Sequence, residues 1–407
     1  MLSYAEALAA IAALVVIPRI ESVPLATALG QVLAEDVRLA APQPPFDRAT
    51  MDGYALVADG ARTAFRVLGT VAAGSEWAGA ALRPGEAVHI MTGAPVPAGT
   101  TVVPIEASDR GEAVVTIAEA KHLAAGRNIA WRGEDGAAGA VIVAAGTRLT
   151  PATLAAVAMC GQRQVTVSWP PSVAIVTTGD EVGGEGAAAI ADSNGPLLSA
   201  IAQQVGLPHA RIHVRDEAHA LRLTLQAAAE QADIVITTGG VSAGARDLVP
   251  EVANDLGFAT VFHHVAIQPG KPVFLGQRTA AKRGSARFLI GLPGNPVSVL
   301  ATAHLFLLPL VGRFLGGWTP TWLDLPVAGD WHHHGTRHLF LPARLVPDGI
   351  EAIRWNGSGD LIAAAAGEGL VDLPPGRAAT RGTLLRFLPY VGGPLGERGR
   401  IPPRPPR

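Results

Sequence analysis

The chain has 407 residues, of which 49% are hydrophobic and 16% are charged, a composition that is typical of packed globular domains and excludes a disordered chain. Its net charge of −2 provides no basic field for nucleic acid or an anionic membrane surface, so we expect neither as a partner. Cys160 is the only cysteine, which excludes an intrachain disulfide and fits a reducing compartment such as the cytoplasm.

The N-terminal stretch MLSYAEALAAIAALVV is apolar, but it lacks the basic region of a signal peptide. Ser3 and Glu6 have the spacing of a capping box, which predicts that a folded amphipathic helix begins here. No other run reaches about 18 uninterrupted apolar residues, so the sequence predicts no membrane span.

The residue pattern of the next segments changes twice, at about residues 44 and 128. Short apolar pieces separated by glycine and proline fill residues 44–127 and predict a small β-rich domain. Residues 128–168 are rich in turns and then contain a helix with Pro151 at its first position. We expect this segment to pack with the N-terminal helix, so that the β-rich domain is an insertion.

From residue 169 the apolar strands SVAIVTTGDE, ARIHVRD, ADIVITTGG and ARFLIGLPG alternate with helical segments. This pattern predicts a largely parallel sheet that is covered by helices on both faces. Ligands of such sheets bind outside the carboxyl ends of the strands. The predicted fold class is therefore α/β plus β, in several domains.

The domain prediction covers the whole chain. Its parts are an N-terminal/linker domain (1–43 and 128–168), the inserted β-rich domain (44–127), an α/β domain (169–317), a C-terminal β domain (318–395) and a disordered Pro/Arg-rich tail (396–407).

Two strands of the predicted sheet end in the same phrase, Thr-Thr-Gly. One phrase contains Thr178 and Gly179, and the other contains Gly239 and Gly240. Glycines at these positions expose backbone N–H groups that suit a phosphate, although for either phrase alone an ordinary βα turn is an equal alternative. Their presence on one sheet edge favours a ligand.

Two helix starts are expected at the same edge. Ser193 and Asn194 precede one helix, and Gly294 and Asn295 precede a long apolar helix that begins at Pro296. A capping role is compatible with anion binding, because both depend on N–H groups at a helix start.

Carboxylates follow the predicted strands. Glu181, Asp216 and Asp247 would repel a phosphate unless a divalent cation lies between them, and Mg²⁺ binds one or two carboxylates together with phosphate oxygens. Helix capping is an open alternative for Asp216 and Asp247. Lys271, in the rigid turn QPGKP, would donate to an anion, and a solvated surface lysine is the alternative.

Composition alone assigns no chemical role to several other polar residues. Asp52, Thr92 and Asp135 lie in glycine turns of the β-rich part of the chain. The run WHHH at 331–334 could contact a metal, but adjacent histidines cannot all converge on one ion, so a metal site there is not expected.

The motifs together resemble the MoeA-type molybdopterin molybdenumtransferases, which are related to the E domain of gephyrin. The resemblance is carried, in order, by PPFDRATMDGYA, IMTGAPVPAGTTVVPIE, GRNIAWRGED, VAIVTTGDEV, DSN, TTGGVSAGARD, QPGKP and GLPGNPVS, and it covers nearly the whole chain.

The resemblance implies a homodimer whose 169–317 region has a MogA-like molybdopterin-binding fold and whose C-terminal domain is barrel-like. It implies insertion of molybdenum from molybdate into adenylylated molybdopterin, with Mg²⁺ and release of AMP, in the cytoplasm. A MogA-like adenylyltransferase and molybdoenzymes are the protein partners that it implies.

The resemblance also assigns site residues, two of which, Glu181 and Asp247, would bind the metal. The catalytic residues would be Asp52, Thr92, Asp135, Glu181, Asp216, Asp247 and Lys271. The substrate-binding residues would be Thr178, Gly179, Ser193, Asn194, Gly239, Gly240, Ser242, Gly270, Pro293, Gly294, Asn295 and Ser358.

The chain departs from the family pattern at three positions. Gln268 replaces the first lysine of the KPGKP turn, Ala245 replaces a glutamate, and Ala130 replaces an arginine. Losing the cation at 268 removes an anion contact worth roughly 1.5–3 kcal/mol. A second hypothesis is therefore a weakened paralogue that carries molybdopterin without turnover. The residues alone would suggest a nucleotide-dependent transferase, although the chain lacks a P-loop.

Overall fold

The computed structural model describes residues 1–183, 189–240, 248–279 and 286–391. The chain forms two compact units, which we describe separately. The first unit comprises Met1–Glu35, Ala145–Pro151 and the described part of Gln164–Arg407, and the second comprises Asp36–Ala144 and Ala152–Arg163. The finer division into domains stays a prediction.

The α-helices among the described residues are α1 (Tyr4–Ala12), α2 (Pro151–Met159), α3 (Asn194–Gln204), α4 (Ala218–Gln231), α5 (Leu248–Asp255), α6 (Pro296–Thr302), α7 (Leu308–Phe314) and α8 (Leu361–Ala365). A π-helical turn, Ala303–Leu307, joins α6 to α7, and short 3₁₀ turns lie at Leu25–Thr27, Ile105–Ala107 and Ala120–Leu123.

The strands of the chain up to residue 168 are β1 (Ile20–Pro24), β2 (Val32–Leu33), β3 (Val37–Arg38), β4 (Arg48–Ala49), β5 (Gly53–Leu56), β6 (Ala64–Val71), β7 (Glu86–Ile90), β8 (Thr101–Pro104), β9 (Val114–Thr116), β10 (Ile129–Ala130), β11 (Val141–Val143) and β12 (Gln164–Ser168). The later strands are β13 (Val173–Thr178), β14 (His209–Val214), β15 (Ile234–Thr238), β16 (Ala259–His263), β17 (Ile267–Gln268), β18 (Phe274–Thr279), β19 (Ala286–Leu292), β20 (Leu323–Pro326), β21 (Trp331–His332), β22 (His338–Val346), β23 (Gly349–Ala352), β24 (Gly369–Leu373), β25 (Ala378–Ala379) and β26 (Leu384–Pro389).

The central sheet of the first unit has the strand order β14-β13-β15-β19-β18-β16. The first four strands are parallel, as predicted, but β18 pairs antiparallel with both β19 and β16, so the sheet is mixed. Only six residues separate β18 from β19, which is too short for the crossover that a parallel connection needs.

Both faces of this sheet are covered. Ile175 and Ile236 belong to a core with α1, α3 and the long helix α6–α7, whereas Val176 and Val235 face α4 and α5. Side chains of successive strand residues point to opposite faces, so strands that are apolar throughout, such as β13 and β15, can fill both cores.

The α1 helix begins as the sequence predicts. The Ser3 side chain accepts from the Glu6 N–H, and the Glu6 carboxylate accepts from the Ser3 N–H, which completes the capping box. Tyr4, Ala7 and Ile11 are its buried face.

The helix from Pro296 to Phe314 is 19 residues long and apolar enough to cross a membrane, but 89% of its most apolar window is buried inside the protein. It is therefore a core helix, and no other helix in the described residues has that length and hydropathy. The π-helical turn precedes Pro309, whose ring and missing N–H do not fit a regular α-helical ladder.

A buried carboxylate fastens the amino ends of the central strands. Asp233 binds the Arg287 guanidinium through Oδ1 at 2.7 Å, and its Oδ2 accepts from Arg19 at 2.6 Å and from the Ser172 hydroxyl at 2.8 Å. The Asp233 and Arg287 side chains are only 5% and 8% exposed, so each offsets the cost of burying the other's charge.

Replacing Asp233 with Asn should lower the free energy of unfolding by about 3–5 kcal/mol, because Arg287 would keep a buried charge without its carboxylate. Urea denaturation of both proteins measures the difference. Asp255→Asn is the matched control, since the Arg222–Asp255 pair is exposed and should contribute under about 1 kcal/mol. Equal losses in the two variants would contradict this account.

His304 lies in the π-helical turn and is fully buried. Its Nδ1 bonds the Leu300 carbonyl at 2.8 Å, and its Nε2 accepts from the Val391 N–H at 3.1 Å, which anchors the end of the last strand on the core helix. Burial lowers the pKa of His304 to about 4, so the ring is neutral at physiological pH.

The free energy of unfolding should therefore fall as the pH is lowered from 6.5 toward about 4, because the unfolded chain binds a proton at this ring and the folded chain does not. The loss at His304 is on the order of 3 kcal/mol. Urea unfolding between pH 4 and 7 should show a shallower acid slope for His304→Gln than for the wild type, and an unchanged slope would exclude His304 as the cause.

The C-terminal sheet, in the same unit, has the order β17-β22-β24-β26-β20, with β23 paired to β22. Its edge strand β17 lies just before the QPGKP turn and pairs parallel with β22, with Gln268 opposite Leu339. This pairing connects the turn directly to the C-terminal sheet.

The second unit is built on a five-stranded sheet, β8-β5-β7-β6-β9. Strand β5 is buried on both sides and is central in this part of the sheet, between β7 and β8. Asp52 immediately precedes β5, so its backbone position is set by a central strand.

Candidate functional site

A cavity of about 380 Å³ lies at the carboxyl edge of β13 and β15, where the sequence predicts a ligand. Nine of the predicted site residues line it. The lining residues are Thr177, Thr178, Gly179, Glu181, Val182, Ile190, Ala191, Asp192, Ser193, Asn194, Asp216, Thr238, Gly239, Gly240, Gly294, Pro296 and Gly359.

The two Thr-Gly turns form the floor of this cavity and contact each other. The Thr178 hydroxyl donates to the Thr238 carbonyl at 3.1 Å. Gly239 and Gly240 have φ values of +88° and +64°, and a Cβ on Gly239 would lie 2.8 Å from the Thr178 Oγ1. Glycine is therefore required at Gly239 both by the backbone conformation and by the close approach of the two turns.

The start of α3 forms one wall. Asp192, and not Ser193, accepts from a first-turn amide, the Gly195 N–H, at 2.8 Å. The Asn194 side chain donates to the Gly294 carbonyl at 2.8 Å, while its Oδ1 is buried and has no hydrogen-bond partner among the described residues. An unpaired buried acceptor at a cavity wall suits a ligand that donates a hydrogen bond.

The start of α6 brings in the C-terminal part of the chain. Asn295 does not cap the helix with its side chain but donates from Nδ2 to the Ser358 hydroxyl at 2.8 Å. The Val297 N–H donates to the Ser358 carbonyl at 3.0 Å. Ser358 is thus held beside the cavity that Gly359 lines, and Pro293 is buried just before this helix start.

Glu181 and Asp216 place two carboxylates in the same cavity. The Asp216 N–H donates to the Asp180 Oδ1 at 3.2 Å, which connects the loops that follow β13 and β14. The alternative that Asp216 caps α4 is wrong, because Glu217 is the N-cap and accepts from His219 and Ala220 amides. The carboxylate of Asp216 therefore remains available to the cavity.

The carboxylates of Glu181 and Asp216 are oxygen donors of the type that Mg²⁺ prefers, with phosphate and water oxygens completing its shell. Within the described ranges no group of three or more His, Cys, Asp or Glu side chains could hold a metal, and this includes the histidines at 332–334. The predicted residues Asp247 and Ser242 lie outside the described residues.

Lys271 is exposed on a tightly held turn, but it does not line the cavity as the structure describes it. Its carbonyl accepts from the Val265 and Val273 amides, both at 3.0 Å. Gly270 packs against α6, where a Cβ would lie 2.4 Å from the Thr302 Cγ2, so the turn contacts the helix whose start forms the cavity.

Arg337 was missed by reasoning from the sequence. Its Nη2 donates to the Gln268 Oε1 at 3.4 Å, and its Nη1 donates to the Ile267 carbonyl at 3.3 Å. A cation just before β22 thus contacts the side chain of Gln268, the residue that replaces the first lysine of the KPGKP turn. The only sequence signal was a basic residue just before an apolar strand, which is too common to identify a site.

In the second unit, Asp52 and Thr92 come together. The Asp52 Oδ1 accepts from the Thr92 N–H at 2.6 Å and from its hydroxyl at 2.9 Å. These bonds, the amide first, lower the pKa of Asp52 and keep it ionised. Asp135 is exposed, and its N–H donates to the Gln43 carbonyl at 2.9 Å.

Thr92→Val should raise the pKa of Asp52, because it removes the hydroxyl donor while leaving the amide donor in place. An NMR titration of the Asp52 carboxyl measures the change. Thr100→Val is the control, since that hydroxyl donates to the Pro97 carbonyl and not to a carboxylate. An unchanged Asp52 titration in Thr92→Val would show that the hydroxyl bond does not act on the carboxylate.

The α/β part of the chain falls into the class of molybdopterin-binding domains. Residues 174–313 match the family described as a probable molybdopterin binding domain, and residues 2–161 match the MoeA N-terminal region, domains I and II.

Relatives that match most of the chain agree with this class. The molybdopterin molybdenumtransferase of Staphylococcus epidermidis is 30% identical over 378 residues, covering 87% of this chain and 86% of the relative. That of Synechococcus elongatus is 33% identical over 349 residues, covering 81% and 84%. The crystal structure of the molybdopterin biosynthesis MoeA protein of Pyrococcus horikoshii is 26% identical, with a TM-score of 0.79 over 96% of this chain and 100% of that one. The chain belongs to the MoeA-type molybdopterin molybdenumtransferase family.

Proposed function

We propose that the chain inserts molybdenum from molybdate into adenylylated molybdopterin and releases AMP. The observation that carries this proposal is the cavity at the sheet edge, where two glycine turns, two helix starts and the carboxylates of Glu181 and Asp216 surround one space. These are the groups that a phosphate-linked substrate and its cation need.

The phosphates of the substrate would contact the turns at Gly179 and Gly239 and the helix starts at Asn194 and Asn295. The turns present backbone N–H groups other than that of Gly239, which donates to the Leu292 carbonyl, and helix starts add a partial positive charge. Thr178, Ser193, Gly240, Pro293, Gly294 and Ser358 would shape the same site, and Ser242 is proposed on the resemblance.

Mg²⁺, when bound, would neutralise the phosphate oxygens. Glu181 and Asp216 would hold it, and the resemblance adds Asp247 as a further ligand. Cleavage of the phosphoanhydride link adds water across a P–O bond, so that AMP leaves and the phosphate stays on the pterin. This step needs charge neutralisation more than it needs a covalent nucleophile.

Molybdate, as substrate, would bind at a separate anion subsite made by Lys271 and Arg337. Arg337 compensates for the cation that the chain lacks at Gln268, because its guanidinium contacts that side chain. Arginine is a suitable replacement, since it is always charged and donates in a fixed fork. Gly270 lets the turn approach α6 closely.

We also propose that the chain acts as a cytoplasmic homodimer and that Asp52, Thr92 and Asp135 take part in the same reaction. A MogA-like adenylyltransferase would supply the substrate, and molybdoenzymes would receive the product. The exposed Met51 and Met91 beside Asp52 and Thr92 support an approaching partner or ligand at this face. The carrier alternative is not favoured, because relatives that match most of the chain are named as transferases.

Reconstitution with adenylylated molybdopterin, Mg²⁺ and molybdate tests the proposal. The wild type should release AMP and retain molybdenum, and Glu181→Gln should be slower by about a hundredfold or more, because one carboxylate charge is lost from the site. Glu230→Gln, an exposed change on α4, should match the wild type. Ligand binding without AMP release by the wild type would reject the insertase and favour a carrier.

A further inference from the structure

A pair formed by a half-buried histidine and a buried carboxylate lies at the start of β22, outside the cavity. The His338 Nε2 contacts the Asp372 Oδ1 closely, and the Asp372 side chain is only 7% exposed. On the other side of the carboxylate, the Arg386 guanidinium lies 3.8 Å from Oδ2 and stacks over Trp322. Neither the cavity nor the proposed chemistry makes use of these groups.

The ring of His338 is fixed by aromatic packing as well. It stacks on Phe340 with the two planes 3° apart, and the edge of Tyr4 approaches it with 5.5 Å between ring centroids. Asp372 is opposite Phe340 in the β22–β24 pairing, so the carboxylate is on the face of β22 that carries these rings. The position of residue 338 is therefore determined by side-chain contacts on that face.

The backbone of residue 338 is hydrogen-bonded to the chain at β17, on the side of β22 away from β24. Its N–H donates to the Ala266 carbonyl at 2.9 Å, and His338 pairs with Ile267 of β17. Residue 338 thus connects β24, through Asp372, with the strand that enters the QPGKP turn.

Arg337 is the residue immediately before this connection. Its carbonyl bonds the His333 Nε2 at 2.6 Å, so its backbone is held from both sides. Its guanidinium, by contrast, has two hydrogen bonds to the described residues, both to β17, at 3.3 and 3.4 Å, which are long for charged hydrogen bonds. The location of that cation therefore depends on where the backbone puts it.

We propose that His338 and Asp372 are positioning residues that hold the Arg337 guanidinium at Gln268 and so set the affinity of the anion subsite. This inference rests on the proposed function of that subsite. If the start of β22 were mobile, the Arg337 guanidinium would not be held at one position. Its bond to an anion would then weaken, because a charged hydrogen bond loses strength quickly with distance and angle.

Equilibrium dialysis of the ligand-free protein against molybdate, with bound molybdenum measured by mass spectrometry, tests the proposal without turnover. His338→Leu should weaken binding about tenfold, which is the effect of losing one well-placed charged hydrogen bond. His338→Gln should stay within about threefold of the wild type, because its amide can still donate to Asp372. In turnover, His338→Leu should raise KM for molybdate and leave kcat unchanged.

The controls separate positioning from general stability. Glu351→Gln breaks the exposed pair between Arg344 of β22 and Glu351 of β23 and should leave molybdate binding unchanged. Asp372→Asn preserves the side-chain shape but removes the charge that His338 contacts, so it should also weaken molybdate binding. It takes the place of His338→Leu in the test if that variant is too unstable to study. Thermal unfolding of each variant shows whether the protein is folded under the dialysis conditions.

The possible failures are distinct. If Arg337→Gln weakens molybdate binding but folded His338→Leu and Asp372→Asn bind as the wild type does, the positioning role is wrong and the proposed subsite stands. If Arg337→Gln has no effect, the subsite itself is wrong, and the positioning role fails with it. An equal fall of kcat in His338→Leu and His338→Gln, with unchanged KM, would also overturn the proposal.

Discussion

The parallel pairing of β13 with β15 is the constraint on which the candidate site depends. Thr177 lies opposite Thr238, so the two strands end at nearly the same height and their Thr-Gly turns adjoin. The bond from the Thr178 hydroxyl to the Thr238 carbonyl and the absence of a Cβ at Gly239 then allow close contact between the turns. A shift of register would separate the turns and open the floor of the cavity.

Features coded by local sequence could be predicted. The capping box at Ser3 and Glu6 and the core strands β13 and β15 follow from local spacing and composition. The antiparallel β18 was not predicted, because strand direction depends on the length of the connection and on tertiary pairing. At Asp216 the local pattern was ambiguous, and only the contacts of Glu217 show which residue caps the helix.

The contacts that complete the site are distant in sequence, and this is why they could not be predicted. Asn295 bonds Ser358 across 63 residues, and Arg337 bonds Gln268 across 69. Neither pair has a sequence spacing that signals contact. The first depends on how the chain before α8 meets the start of α6, and the second on how β22 pairs with β17. The family resemblance named Ser358 but gave no geometric reason for it, which the bond from Asn295 now provides.

Gln268 shows why a departure from a motif must be judged among its neighbours in space. Within the sequence, the missing lysine suggests a weaker anion site. In the structure, the Gln268 side chain accepts from the guanidinium of Arg337, and the next residue, His338, contacts Asp372. An arginine from another strand can replace a lysine of the turn only if that strand is held in place. Under our proposal, the contact between His338 and Asp372 is therefore what would make the loss of the lysine compatible with an anion site.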